Sequence, residues 1–181
     1  YMDLHDSYKS VYEALFHAGL ANGVRIELVK IDSSRLEGEG DISAILGSTG
    51  AAVDGILVPG GFGQRGIHGM IRAAEWARTQ KLPYFGICLG MQIMVIEWAR
   101  DVLGWADADS SEFAQDTPHP VVSLLEEQID VKNYGGTMRL GRSETSAREG
   151  TKILSAYGNK QIFERHRHRY EFSNKYRKEM E

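Results

Sequence analysis

An α/β fold, an open parallel sheet with helices packed on it, is what three stretches of this sequence predict. Gly55-Ile-Leu-Val58 is a short, continuous apolar run bounded by Asp54 and Pro59, the pattern of a strand buried on both faces. Pro83, Tyr84, Phe85 and Ile87 form a second such run, and from Leu89 onward Ile93, Ile96 and Leu103 recur at helical spacing, so a strand runs straight into a helix. Val24, Ile26 and Leu28 alternate with Arg25 and Glu27, which reads as a third strand over Val24 to Ile31. Strand, helix and strand in this order predict a flavodoxin-like open parallel sheet with helices on both faces.

Each element has a local reason. Asp6 or Ser7 is placed to cap a first helix, with Val11, Leu15 and Ala18 on one face and Gly19 and Gly23 toward its end. Ser33 to Gly50 is rich in glycine and serine and reads as a loop around a short helix near Ile42 to Leu46. Pro59-Gly-Gly-Phe-Gly-Gln-Arg-Gly66 follows the strand ending at Val58, and a helix from Ile67 to Gln80 carries Ile71, Ala74, Trp76 and Ala77. The helix that opens at Leu89 should end near Val102 to Gly104, and Asp107 to Asp116 is a polar loop. Val121 to Leu125, Thr137 to Leu140 and Tyr170 to Phe172 predict β-rich additions in the second half.

With 181 residues, 42% of them hydrophobic and 25% charged, the chain has enough material for one core, and no internal repeat or second domain is visible. Lys and Arg number 21 against 25 for Asp and Glu, a formal charge of −4, which gives no general attraction to nucleic acid or to an anionic membrane. One cysteine makes no internal disulfide, and no run of about 18 apolar residues is present. A reduced, cytoplasmic setting is the expectation.

That one cysteine, Cys88, stands between Gly86 and Gly90 at the strand-to-helix junction. The unpaired N–H groups and dipole of a helix N-terminus favour an anion, so the position is expected to lower the thiol pKa. Small residues on either side let the backbone bend sharply and expose a nucleophile, the logic of the Gly-x-Ser-x-Gly elbow. The glycines after Val58 differ from a phosphate-binding loop, which requires a Lys-Ser/Thr pair that is missing here. Both loops lie at carboxyl ends of predicted neighbouring strands, where open α/β sheets place their ligands. Farther on, Arg165-His-Arg-His-Arg-Tyr-Glu171 alternates, with Arg165, Arg167 and Arg169 predicted on one side and His166, His168 and Tyr170 on the other.

Pro59-Gly-Gly-Phe-Gly63, Gly86-Ile-Cys-Leu-Gly-Met-Gln92 and Arg165-His-Arg-His-Arg-Tyr-Glu171, in this order, resemble the class I (triad) glutamine amidotransferases, and among them the glutaminase domains of CTP synthases, nearly end to end. The resemblance implies a thioester mechanism that hydrolyses the side-chain amide of L-glutamine and supplies ammonia for ATP-dependent amination of UTP. It implies Cys88 as nucleophile, an oxyanion hole from the N–H groups of Gly61 and Leu89, and a substrate site from Gly61, Phe62, Leu89, Gly90, Met91, Gln92, Glu112, Arg169 and Tyr170. Glu112 matches a residue that holds the α-amino group, and Arg169 the one that binds the α-carboxylate, for which a guanidinium fork has the right shape. No metal or cofactor is expected in this domain. ATP and Mg belong by resemblance to a synthase domain of the same parent chain, GTP is an activator, and the full-length enzyme is a homo-oligomer.

The family places a histidine base, oriented by a glutamate, in a His-Pro-Glu sequence near the domain's end. That sequence is absent here: His119-Pro120 is followed by Val121 and precedes the arginine-rich strand. His166 and His168 remain as stand-ins, within the arginine motif. Residues 1–181 are thus expected to be an amidotransferase domain incomplete at both ends, a first strand being expected ahead of the Asp-Ser-Tyr-Lys-Ser segment. Two alternatives stand beside the glutaminase: an inactive glutamine-binding or assembly module, and a related cysteine hydrolase of the protease or chaperone type, in which a histidine commonly follows the elbow cysteine where Leu89 stands.

Overall fold

The computed structural model describes residues 5–38, 40–47, 52–124 and 139–181. Its centre is a strand–helix–strand unit: β1 (Ile56–Val58), α3 (Ile67–Thr79) and β2 (Tyr84–Gly86), followed at once by α4 (Leu89–Asp101). β1 and β2 pair in parallel with Val58 opposite Gly86, and Ile87 N–H extends the ladder to Val58 O at 2.9 Å. The two strand ends carrying the glycine-rich loop and Cys88 therefore lie side by side.

Ahead of this unit stand α1 (Lys9–Ala21) and α2 (Ile42–Gly47). A 3-10 turn over His5–Tyr8 leads into α1, whose N-cap is Tyr8 with no side-chain cap hydrogen bond, so neither Asp6 nor Ser7 takes the expected cap position. Beyond α4 come β3 (Asp109–Ser110), β4 (Pro120–Leu124), β5 (Arg139–Ser146), α5 (Lys152–Tyr157), β6 (Gln161–His168), β7 (Tyr170–Phe172) and α6 (Arg177–Met180). β3 and β7 flank β4, parallel and antiparallel respectively. β5 and β6 form a separate antiparallel ribbon. The short helix α5 was not anticipated, although Thr151 caps it by accepting from Leu154 N–H and Gly158 ends it at φ 63°.

The core lies where α3, α4 and β4 meet. Ile93, Ile96 and Ala99 of α4 are fully buried with Val121 and Val122 of β4, and Ile71 and Ala74 of α3 close the layer. A charge pair joins α3 to α4: Arg78 Nε donates to Glu97 Oε1 at 2.7 Å, with Glu97 only 1% exposed. Burial raises the Glu97 pKa and the guanidinium pulls it back. No described helix is long and apolar enough to cross a membrane.

The structure departs from the sequence reading at Val24 to Ile31, which forms no strand. Alternation makes a segment fit for a ladder, but a ladder needs a neighbour, and no described strand pairs with this one. Val24, Ile26, Leu28 and Val29 are accordingly 40–58% exposed. Among the later strands, β4 ends at Leu124 and β5 begins at Arg139, so Leu125, Thr137 and Met138 fall outside the described residues.

Candidate active site

Cys88 occupies the single residue that separates the end of the β2 ladder, at Ile87, from the first residue of α4, at φ 54° and ψ −107°. A non-glycine residue with positive φ costs on the order of 1–3 kcal/mol and persists only where its surroundings over-determine it. Three hydrogen bonds do so: Ile87 N–H to Val58 O, then Met91 N–H and Gln92 N–H to Cys88 O at 3.1 and 3.2 Å. The flanking glycines are obligatory. A Cβ on Gly86 would overlap the Gly90 carbonyl and Met91 N, and one on Gly90 would overlap the Val58 carbonyl. The result is a sharp elbow that presents the half-buried Cys88 side chain at the head of a helix.

The glycine-rich loop after β1 lies against this elbow. A Cβ on Gly60 would stand 3.3 Å from Cys88 Cβ, and one on Gly61 would stand 3.2 Å from Leu89 Cδ2. Tyr8 Oη donates to Gly60 O at 3.1 Å, so the segment ahead of α1 braces the loop. Chain-distant residues supply the opposite wall. Glu112, in the turn between β3 and β4, accepts from Gly63 N–H, and its own N–H donates to Ser110 Oγ at 3.2 Å. Gln92 Nε2 donates to Tyr170 O at 2.9 Å and ties α4 to the start of β7.

Between these walls is a cleft of about 100 Å³, lined by Gly61, Phe62, Cys88, Gln92, Glu112, His168, Arg169 and Tyr170. Its charges are mixed. Burial raises the Glu112 pKa, while Gly63 N–H and the Arg169 guanidinium pull it back. Burial also pushes the Cys88 thiol up; Leu89 N–H lowers it and the Glu112 charge raises it again. The expectation that the helix N-terminus lowers the thiol pKa is thus corrected: the helical N–H acts in the expected direction, but burial and a neighbouring carboxylate outweigh it. A thiol so placed needs a base to become an efficient nucleophile.

Seven of the expected residues line the one cleft: Gly61, Phe62, Cys88, Gln92, Glu112, Arg169 and Tyr170. Leu89, Gly90 and Met91 do not. Leu89 is 3% exposed and faces the core, so what it offers the site is its N–H. Gly90 packs on β1, and Met91 lies half-buried on α4. His119 is elsewhere, stacked on Trp105 with Nδ1 2.7 Å from Asp107 Oδ1.

Arg169 departs from the simple alternation. β6 stops at His168 and β7 starts at Tyr170, so the chain bends at Arg169 and turns it into the cleft while Arg165 and Arg167 stay exposed. His168, which the sequence reading did not assign to the substrate site, lines the cleft as well. Alternation gives no signal for it, because His168 and Glu171 fall on opposite faces of one strand, and the bend at Arg169 brings Nδ1 and Oε1 to 3.6 Å.

Comparison with known proteins fits this geometry. The family model "Glutamine amidotransferase class-I" matches residues 3–181. The chain is 55% identical over 177 residues to the CTP synthase of Geobacter sulfurreducens, covering 98% of this chain and 32% of that protein. It is 49% identical over 181 residues to the CTP synthase of a Hydrogenobaculum species, covering all of this chain and again 32% of the relative. The chain thus spans about a third of the length of these curated relatives. Among solved structures, the glutaminase domain of Trypanosoma brucei CTPS with bound acivicin superposes with a TM-score of 0.87 at 38% identity, over 99% of this chain and 68% of that one. A cysteine elbow, a glycine-rich loop against it and a family match across nearly the whole length lead to one conclusion: this chain belongs to the class I glutamine amidotransferases.

Proposed function

We propose that this chain is the glutamine-hydrolysing part of a CTP synthase, with Cys88 as nucleophile. The observation that carries the reading is the strained Cys88 at the head of α4, in a cleft it shares with Glu112 and Arg169. In the proposed reaction Cys88 Sγ, its proton removed by a base, attacks the side-chain amide carbon of glutamine. The N–H groups of Gly61 and Leu89 receive the negative charge that develops on the amide oxygen. The C–N bond then breaks, the nitrogen takes a proton and leaves as ammonia, and water cleaves the Cys88 thioester to give glutamate. Arg169 and Glu112 bind the α-carboxylate and α-amino group, which puts a charge-assisted partner at each end of the amino-acid backbone.

The base is proposed to come from outside residues 1–181, in the synthase-linked parent chain to which this domain would belong. His168 is the one histidine of the cleft lining, and both its ring nitrogens face other groups, as described below. ATP and magnesium are placed with the synthase part of the parent protein, as the resemblance to CTP synthases implies. GTP is an activator by the same resemblance, and no step here depends on these nucleotides.

The test is ammonia release from glutamine by the full-length protein, alone and as the Cys88→Ala variant. Loss of glutamine-dependent CTP formation, with ammonia-dependent formation kept, supports the reading. Retained glutamine hydrolysis in the variant overturns it.

A further inference from the structure

Arg169 is the single residue at which the chain leaves one ladder for another. Up to His168 the strand pairs with β5, and from Tyr170 it pairs with β4. A junction one residue long has no ladder of its own to set its direction, so neighbouring groups must do it.

Side chains from three strands meet there. Arg139 Nη1 of β5 donates to Glu171 of β7, at 3.1 Å to Oε2 and 3.3 Å to Oε1. The other face of Glu171 looks at His168, whose Nδ1 is 3.6 Å from Oε1. His166 Nδ1 is 2.8 Å from His168 Nε2. The His168 ring is also hydrogen-bonded to the Tyr170 backbone; with its hydrogen on Nδ1, Nε2 of neutral His168 accepts from the N–H of His166. The ring nitrogens thus face His166 at 2.8 Å and Glu171 at 3.6 Å rather than the Cys88 sulfur. His168 and Glu171 are 18% and 17% exposed, enclosed enough for these contacts to hold direction.

We propose that the His166–His168–Glu171–Arg139 chain is a positioning device for substrate capture: it sets the bend that turns Arg169 into the cleft, and His168 acts on amino-acid binding rather than on the thiol chemistry. The inference rests on the reading of Arg169 as the α-carboxylate ligand. Burial holds His168 below the usual histidine range, which keeps the ring neutral near neutral pH and available as acceptor and donor at once.

The experiment measures alkylation of Cys88 in the full-length protein by a chloroketone analogue of glutamine, as a function of its concentration. Iodoacetamide, which has neither an α-amino group nor a carboxylate to be read, serves as the control. His168→Leu is expected to raise the half-saturating concentration up to roughly tenfold, the scale of one lost hydrogen bond, with the limiting rate and the iodoacetamide rate kept. His168→Gln, whose amide offers both an N–H and an acceptor oxygen, should restore capture. Where the leucine variant does not fold, Glu171→Gln takes its place in the same comparison. Unchanged half-saturation, or a fall in the limiting or iodoacetamide rate instead, overturns the inference. Arg169→Ala in the same series separates the two claims: if it too leaves half-saturation unchanged, the carboxylate reading has failed, and if it weakens capture while the His168 variants do not, only the positioning role has failed.

Discussion

The two walls of the cleft are built in opposite ways. The wall from Val58 to Gln92 is backbone: a parallel strand pair, two glycines with no room for a side chain, and a cysteine held at positive φ by the hydrogen bonds around it. The wall from Glu112 and Arg169 is side chain, carried on a turn and a one-residue bend that only long-range pairing brings together. In the proposed reaction, attack and charge stabilisation fall to the backbone wall, where a change strains the fold, whereas recognition of the amino acid falls to side chains that can be exchanged one at a time.

The largest effect should come from breaking the backbone wall. Gly90→Ala forces a methyl group into the Val58 carbonyl, and neither α4 nor β1 has slack, because Ile93 and Ile96 anchor the helix in the core. The expected outcome is a protein lacking cooperative unfolding in differential scanning calorimetry; a stable, active variant would show that the elbow tolerates a shift. Cys88→Ala comes next, with total loss of covalent labelling and a fold that calorimetry finds intact. Labelling equal to wild type by intact-mass analysis would contradict it.

Changes in the side-chain wall should be milder. Arg169→Ala removes one charge-assisted contact and is expected to weaken glutamine capture on the order of a hundredfold in the full-length protein, with the melting temperature little changed. Glu112→Gln sharpens the comparison because it should move two readouts in opposite directions. Removing the charge that raises the thiol pKa speeds iodoacetamide alkylation at pH 7 by a few-fold, while loss of the α-amino partner weakens capture of the amino acid. A slower iodoacetamide reaction would refute the sign of the Glu112 effect on Cys88.

The smallest expected effect is a pH dependence of stability. His168 has a folded-state pKa below its unfolded value of about 6.5, so the unfolded chain binds more protons between the two. Its contribution is present above the unfolded pKa and is lost as pH falls from there through the lower folded value. Urea midpoints measured from pH 7.5 downward should decline more steeply for wild type than for His168→Gln; equal slopes would remove His168 from the account.

The same division explains what was legible in the sequence. The elbow and its glycine-rich neighbour were readable because every cause is local: apolar runs three to five residues long, glycines at fixed offsets, and a helical repeat beginning at Leu89. Glu112 and Arg169 were reached only through family resemblance, since nothing local says that a turn after β3 and a bend after β6 face one cleft. The bend itself defeated simple alternation, which had put Arg169 on the face of Arg165 and Arg167. Val24 to Ile31 failed for a related reason. Alternation records fitness for a ladder, and the pairing that makes a strand is a property of its neighbour. The Cys88 pKa reversed its expected direction because helix position is local information while burial and the approach of Glu112 are not.

The most direct measurement is a crystal structure of the full-length protein after reaction with acivicin. Continuous density is expected from Cys88 Sγ to the inhibitor, with its α-carboxylate on the Arg169 guanidinium and its α-amino group on Glu112. An inhibitor bonded to any other residue, or bonded to Cys88 with its amino-acid end turned away from both, would contradict it.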